Sequence, residues 1–164
     1  MTPAIERAEA SGISFSIHTY RHERKNRHYG AEAVEKLAVS PDRVFKTLVV
    51  ETHGGELALC VLPVSRQLDL KQVSDLLRTK KVQMADPRVA EKATGYVSGG
   101  ISPIVPKKNF STLIDRSALD RETIFVSGGR RGVEIELKPD DLCMLTQGRF
   151  EGIVLKNKAE NALL

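Results

Sequence analysis

Two strand-like runs, VFKTLVVE (44–51) and ELALCVLP (56–63), are separated by only THGG. Four residues with two glycines suit a hairpin and are too few for the crossover that parallel strands need. TIFVS (123–127) and VEIEL (133–137), joined across GGRRG, read as a second such pair. SFSIHTY (14–20) places Phe15, Ile17 and Thr19 on one face, and KVQMA (81–85), STLID (111–115) and EGIVL (151–155) complete the strand set. Helical patterns fall irregularly between them: 2–12, 30–39, 68–79, 86–94 and a last, long helix over PDDLCMLTQG (139–148). This mixture, without strict alternation and without internal repeats, predicts the α+β class: a mixed, mostly antiparallel sheet with surrounding helices.

The helix ends carry their own signals. Thr2 caps the first helix, Pro3 suits its first turn and Gly12 can end it. Ala33, Val34 and Leu37 form one stripe, and Asp69 and Asp86 are further caps, the second followed by Pro87. A length of 164 residues fits one domain, over residues 1–155, with residues 156–164 expected to fray.

Hydrophobic residues make up 41% and charged residues 28%, as in a soluble globular protein. There is no run of eighteen apolar residues and no charged-then-apolar leader, so neither a membrane span nor a signal peptide is expected, and the cytoplasm is the expected compartment. Cys60 and Cys143 lie in apolar surroundings and read as buried free thiols. The formal charge of +4 permits a polyanionic partner without requiring one. Basic residues cluster in RHERKNRH (21–28) and in the pairs Lys80-Lys81, Lys107-Lys108 and Arg130-Arg131. Each reads singly as solvated surface; on one face together they would attract phosphates.

The common catalytic signatures are missing: no G-x-S-x-G, Walker loop, G-x-G-x-x-G, H-E-x-x-H or C-x-x-C occurs. His18 and His22, four apart on an extended strand, would be roughly 13 Å from each other, too far to share a metal. Neither cysteine has a basic activator beside it in sequence. Lys46 shares its strand face with Leu48 and Val50; it is either an edge lysine snorkelling past the core or an ammonium at the mouth of a pocket, placed to hold an anion or a polarised carbonyl oxygen. TGYVSGGISP (94–103) and SGGRRG (127–132) are either plain turns or two glycine loops forming one wall of that pocket, with backbone N–H groups as donors to a developing oxyanion.

Taken together, TPAI…HTY, FKTLVV, KVQMADPRVAEKATGYVSGGISP, KK, TIFVSGGRRG and VEIEL resemble the YbaK/EbsC family from Thr2 to about Gly152. The resemblance implies a barrel-like sheet with surrounding helices, as in the editing domain of prolyl-tRNA synthetases. It implies a trans-editing deacylase that clears cysteine from cysteinyl-tRNA(Pro) and cysteinyl-tRNA(Cys), with tRNA and prolyl-tRNA synthetase as partners and no metal or organic cofactor; a monomer is expected. By the same resemblance, Lys46, Gly99, Gly100, Ile101 and Ser102 fall on the catalytic positions, followed in the motif by Pro103. Tyr20, Tyr29, Thr47, Ser127, Gly128, Gly129, Arg130 and Glu134 fall on substrate-binding positions. Arg21, Arg24, Lys25, Arg27, Lys107, Lys108 and Arg131 are candidate tRNA contacts. Tyr29 departs from a usual phenylalanine and Glu134 from an aspartate. The implied mechanism has the substrate's own thiol attack its ester and leave as a thiolactone. Two alternatives remain: a deacylase for alanyl- or seryl-tRNA that uses water, and a non-catalytic module that senses the synthetase or an aminoacyl end.

Overall fold

Thr2 does cap the first helix, α1 (Pro3–Ser11): its Oγ1 accepts from the Ile5 N–H at 3.2 Å, and Gly12 closes the helix at φ 78°. In the computed structural model, which describes residues 1–157, the order continues β1 (Phe15–Thr19), α2 (Tyr29–Leu37), β2 (Phe45–Thr52), β3 (Leu57–Pro63), α3 (Leu70–Leu76), β4 (Val82–Met84), α4 (Pro87–Thr94), β5 (Ser111–Asp115), β6 (Ile124–Arg130), β7 (Val133–Leu137), α5 (Pro139–Thr146) and β8 (Arg149–Glu151). Residues 158–164, most of the stretch expected to fray, lie outside the described residues.

The strands form two sheets. One is antiparallel throughout, in the order β1-β7-β6. The other is mixed, in the order β4-β2-β3-β5-β8, with antiparallel pairing at β4-β2 and β2-β3 and parallel pairing at β3-β5 and β5-β8. This is the α+β architecture with a mixed sheet that the sequence predicts. Among the described residues no closed barrel forms: the two sheets meet where Val44 bridges Phe125 and the Phe125 N–H donates to Arg43 O at 2.9 Å. Phe45, Val61, Ile114 and Ile135 pack between the sheets with α1 and α5, while Val50, Cys60, Leu62 and Leu113 form a second cluster with Val73 of α3. Because β3 feeds both clusters, its residues from Ala58 to Pro63 are all buried.

Several elements depart from expectation. The last helix stops at Thr146, because Gln147 takes the left-handed conformation (φ 52°) and the Gly148 N–H turns back to Cys143 O. The final strand is Arg149–Glu151 rather than EGIVL, with Val154 in only an isolated bridge to Leu68; Asp115 Oδ1 captures the Ile153 N–H at 3.0 Å and draws the chain off the sheet. Ile17, expected on one face with Phe15, is exposed. Cys60 is buried and free, but Cys143 is only partly buried, with its Sγ 3.1 Å from Gly148 O. In the second hairpin the turn is Arg131–Gly132, and the Gly128–Gly129 pair forms a bulge within β6.

Candidate active site

The shortness of β4 creates the site. β4 pairs with β2 only at Val50–Thr52, so the Phe45–Leu48 edge of β2 lacks a neighbouring strand. At that opening lies a cleft of about 320 Å³, lined by residues that include Lys46, Thr47 and Leu48, by Tyr29 and Gly30 at the start of α2, by Ala85 and Pro87, by Ser98, Gly99 and Ile101, and by Ser127 and Glu134. Asp86 caps α4 by accepting from the Arg88 N–H at 2.8 Å, and Gly95 ends α4 at φ 80°, which delivers the chain into the glycine loop.

The two glycine loops touch, as a shared wall requires. A Cβ on Gly100 would lie 2.9 Å from Arg130 Cα and 3.0 Å from Arg131 N. Arg131 ties them together: its Nε donates to Ser98 O at 2.8 Å, and its guanidinium lies 4.8 Å from the centre of the Tyr29 ring. Behind them Tyr96 is buried and donates to Ile104 O at 2.6 Å, and Thr2 Oγ1 donates to Gly128 O. The loop is therefore pinned from both sides.

Three polar groups border the cleft without compensation. Lys46 is half-buried, and burial holds its pKa below the usual lysine value. Thr47 Oγ1 and Glu134 Oε2 are buried with no hydrogen-bond partner among the described residues. Burial pushes the Glu134 pKa up to about 8. Buried polar atoms are nearly always paired, so orphaned ones on a cleft point to a ligand that completes them.

The remaining sequence candidates divide by place. Tyr20 packs behind the cleft with Val44 and Phe125; burial, then Glu134 and Glu32, push its hydroxyl pKa up to about 12. Gly100, Ser102, Gly128, Gly129 and Arg130 are absent from the lining. The Gly100 N–H already donates to Val97 O at 2.8 Å, and the fully buried Ser102 Oγ accepts from the Ile104 N–H. Ser98, Gly99 and Ile101 are thus the residues of the first glycine loop that border the cleft, and Ser127 is the one from the second. Arg21, Arg24, Lys25 and Arg27 are exposed on the loop that leads into α2. That loop is anchored by Glu32, which is 2% exposed and receives His22 Nδ1 at 2.6 Å and the Glu23 N–H at 2.8 Å. Burial works against the Glu32 carboxylate, but these hydrogen bonds outweigh it and hold its pKa below the usual range. No local pattern in the sequence marked this anchor, since its partners are ten and nine residues apart. Lys107 and Lys108 are exposed, and Lys108 borders a separate hollow with Arg7 and Gln147.

Among the described residues the cleft lining includes the hydroxyl-bearing Tyr29, Thr47, Ser98 and Ser127 but no histidine or cysteine. Cys60 lies in the core, where burial pushes its thiol up to about 12. Among the described residues no group of three His, Cys, Asp or Glu side chains is placed to hold a metal ion. The arrangement offers a ligand one ammonium, one carboxyl group and a wall built partly from glycine-loop residues.

Residues 25–145 match the model of the aminoacyl-tRNA editing domain family. The chain is 40% identical over 130 residues, 79% of each chain, to an Enterococcus faecalis protein provisionally named Cys-tRNA(Pro)/Cys-tRNA(Cys) deacylase EbsC. It is 34% identical over 89 residues to a proline–tRNA ligase of Acidithiobacillus ferrooxidans, of which it spans 15%. A solved structure provisionally described as a trans-editing enzyme for prolyl tRNA synthetase superposes with a TM-score of 0.81 at 19% identity, covering 95% of this chain and 99% of the other. The fold is therefore that of the editing domains, and the chain belongs to the YbaK/EbsC family of aminoacyl-tRNA editing domains.

Proposed function

We propose that the protein is a trans-editing deacylase that clears cysteinyl-tRNA(Pro), and cysteinyl-tRNA(Cys), by substrate-assisted cleavage in the cytoplasm. The observation that carries this reading is a cleft that has, among the described residues, an unpartnered, partly desolvated Lys46 and a glycine-loop wall, but no histidine or cysteine. Such a site positions a reactive ester without supplying a thiol nucleophile or an imidazole base. The relative's name supplies the amino acid and the tRNA.

In the reaction, the substrate sulfur bonds to its own ester carbonyl carbon. The carbonyl oxygen becomes an oxyanion, which collapses to break the bond to the ribose oxygen of the terminal adenosine. The thiol proton passes to that oxygen, freeing the tRNA and a four-membered thiolactone. Lys46 anchors the substrate beside the terminal adenosine, and the N–H groups of Gly99 and Ile101 face the oxyanion. The Tyr29 ring walls the amino-acid side. Arg21, Arg24, Lys25 and Arg27 present charge to the tRNA phosphates. Prolyl-tRNA synthetase is the proposed partner that selects tRNA(Pro), and the deacylase acts as a monomer.

The test is a deacylation panel of cysteinyl-, alanyl-, seryl- and prolyl-tRNA, with and without the synthetase. Rapid loss of cysteine alone, with a trapped thiolactone, is expected. Equal rates on cysteinyl- and alanyl-tRNA would overturn the thiol-assisted step, and RNA binding without cleavage of any ester would make the protein a sensor.

A further inference from the structure

Among the described residues Glu134 is the one carboxylate on the cleft lining. It is 8% exposed, and its Oε2 is buried without a hydrogen-bond partner among the described residues. The neighbouring charges are committed elsewhere. His18, its cross-strand partner on β1, contacts Glu136 at 2.9 Å, and Arg43 contacts Glu136 at 3.2 Å. Tyr20 is close enough to feel its charge but donates no hydrogen bond to it among the described residues. Lys46 borders the same cleft, but among the described residues no ion pair joins it to Glu134. An isolated buried carboxylate is costly unless something pairs with it. In a cleft, that something can arrive with the ligand.

We propose that Glu134 is the receptor for the α-ammonium group of the aminoacyl ester, so that the cleft reads a free amino group as well as a side chain. This inference rests on the proposed function. An aminoacyl ester on a terminal adenosine carries one cation, its α-ammonium, and anionic phosphates beyond the ribose. The cleft offers one carboxylate and one ammonium, unpaired with each other, which fixes the direction in which such a ligand lies. The cation enters at Glu134 and the ester and nucleotide lie toward Lys46. The arriving ammonium supplies the missing partner, and the pair forms in a water-poor pocket where a charge-assisted hydrogen bond is strong. The same contact excludes esters whose amino group is blocked. A peptidyl-tRNA or an N-acylated aminoacyl-tRNA brings a neutral amide, which leaves the carboxylate unpaired and adds bulk where space is limited. Glu134 thereby confines cleavage to free aminoacyl-tRNA.

The experiment uses two stable probes, 3′-(L-cysteinylamino)-3′-deoxyadenosine and its 3-mercaptopropanoyl counterpart, which lacks only the amino group. Wild-type protein is expected to bind the first at least tenfold more tightly. In Glu134→Gln, which keeps shape and removes charge, the ratio is expected to fall to within twofold, and Glu134→Leu serves as the second variant should the amide disturb folding. A wild-type ratio within twofold, or a tenfold ratio retained in a folded variant, overturns the proposal. The companion assay compares cysteinyl-tRNA with N-acetyl-cysteinyl-tRNA, and equal wild-type rates also overturn it. Cleavage of cysteinyl-tRNA without amino-group discrimination overturns this inference alone. Absence of both cleavage and probe binding overturns the functional reading beneath it.

Discussion

Gly99→Ala tests the loop wall, because two separable costs meet at that position. Gly99 has φ +85°, a left-handed conformation that costs an L-residue about 1–2 kcal/mol. A Cβ there would also lie 2.6–2.7 Å from three carbons of the Tyr29 ring, and such overpacking costs about 1–3 kcal/mol. The loop has little room to yield. Ser98 is held by Arg131 Nε at 2.8 Å and by Glu91 Oε2 at 2.7 Å, and the Gly100 N–H holds Val97 O at 2.8 Å. The expected loss of unfolding free energy is about 2–5 kcal/mol, the sum of the two ranges. In a Tyr29→Ala background the ring is gone and the conformational cost of about 1–2 kcal/mol remains. Urea unfolding of wild type, both single variants and the double variant should then give a coupling of about 1–3 kcal/mol. Deacylation measured on the same four proteins should fall with Gly99→Ala, whether or not Tyr29 is present. Additivity within about 0.5 kcal/mol would refute the close approach of ring and loop.

Lys46→Ala is expected to abolish deacylation while the protein stays folded, and wild-type turnover in that variant would remove Lys46 from the site. Glu134 predicts a pH effect with a definite sign. Its folded pKa of about 8 lies above the ordinary 4.5, so between these values the native state keeps a proton that the unfolded chain has lost. Stability therefore falls as pH rises from about 4.5 to about 8, by up to several kcal/mol at about 1.4 kcal/mol per pH unit, and Glu134→Gln should flatten this slope in urea titrations. A slope unchanged in the variant would refute the assignment. Arg131→Lys keeps the charge but loses the Nε bond to Ser98 O and the flat stack on Tyr29. It should lower kcat with little change in tRNA affinity, whereas a phosphate contact would be largely rescued by lysine. Ser102→Ala removes the acceptor for the buried Ile104 N–H and should cost about 1–3 kcal/mol in urea unfolding, against near neutrality if the hydroxyl were idle.

Local chemistry made some elements legible before the structure. Thr2, Asp69 and Asp86 cap helices as their side-chain acceptors allow, and THGG turns the hairpin between β2 and β3. Lys46 and the two glycine stretches could be singled out because they break the rules of their surroundings, a charge in an apolar strand and loops almost without side chains. What escaped depends on pairings distant in sequence. The partial cover of β2 by three-residue β4, which opens the cleft, cannot be read from either segment alone. Nor could the diversion of the chain at Ile153, since its cause is Asp115, 38 residues earlier. Arg131 looked like surface charge because its neighbours in sequence are basic, while its partners are Ser98 and Tyr29.

The antiparallel sheet has a consequence for synthesis. Among the described residues β1 pairs with β7 alone, and the His18–Glu136 contact between them spans 118 residues. At translation speeds of about 5–20 residues per second, β1 waits roughly 6–24 s for its partner to be made. Until then Phe15 and its neighbours have no strand beside them, and the wall that carries Ser127 and Glu134 does not exist. The β2–β3 hairpin, closed by local contacts, can form far earlier. The nascent chain thus displays Lys46 long before it has a pocket, and competence for chemistry arrives only once β6 and β7 have left the ribosome.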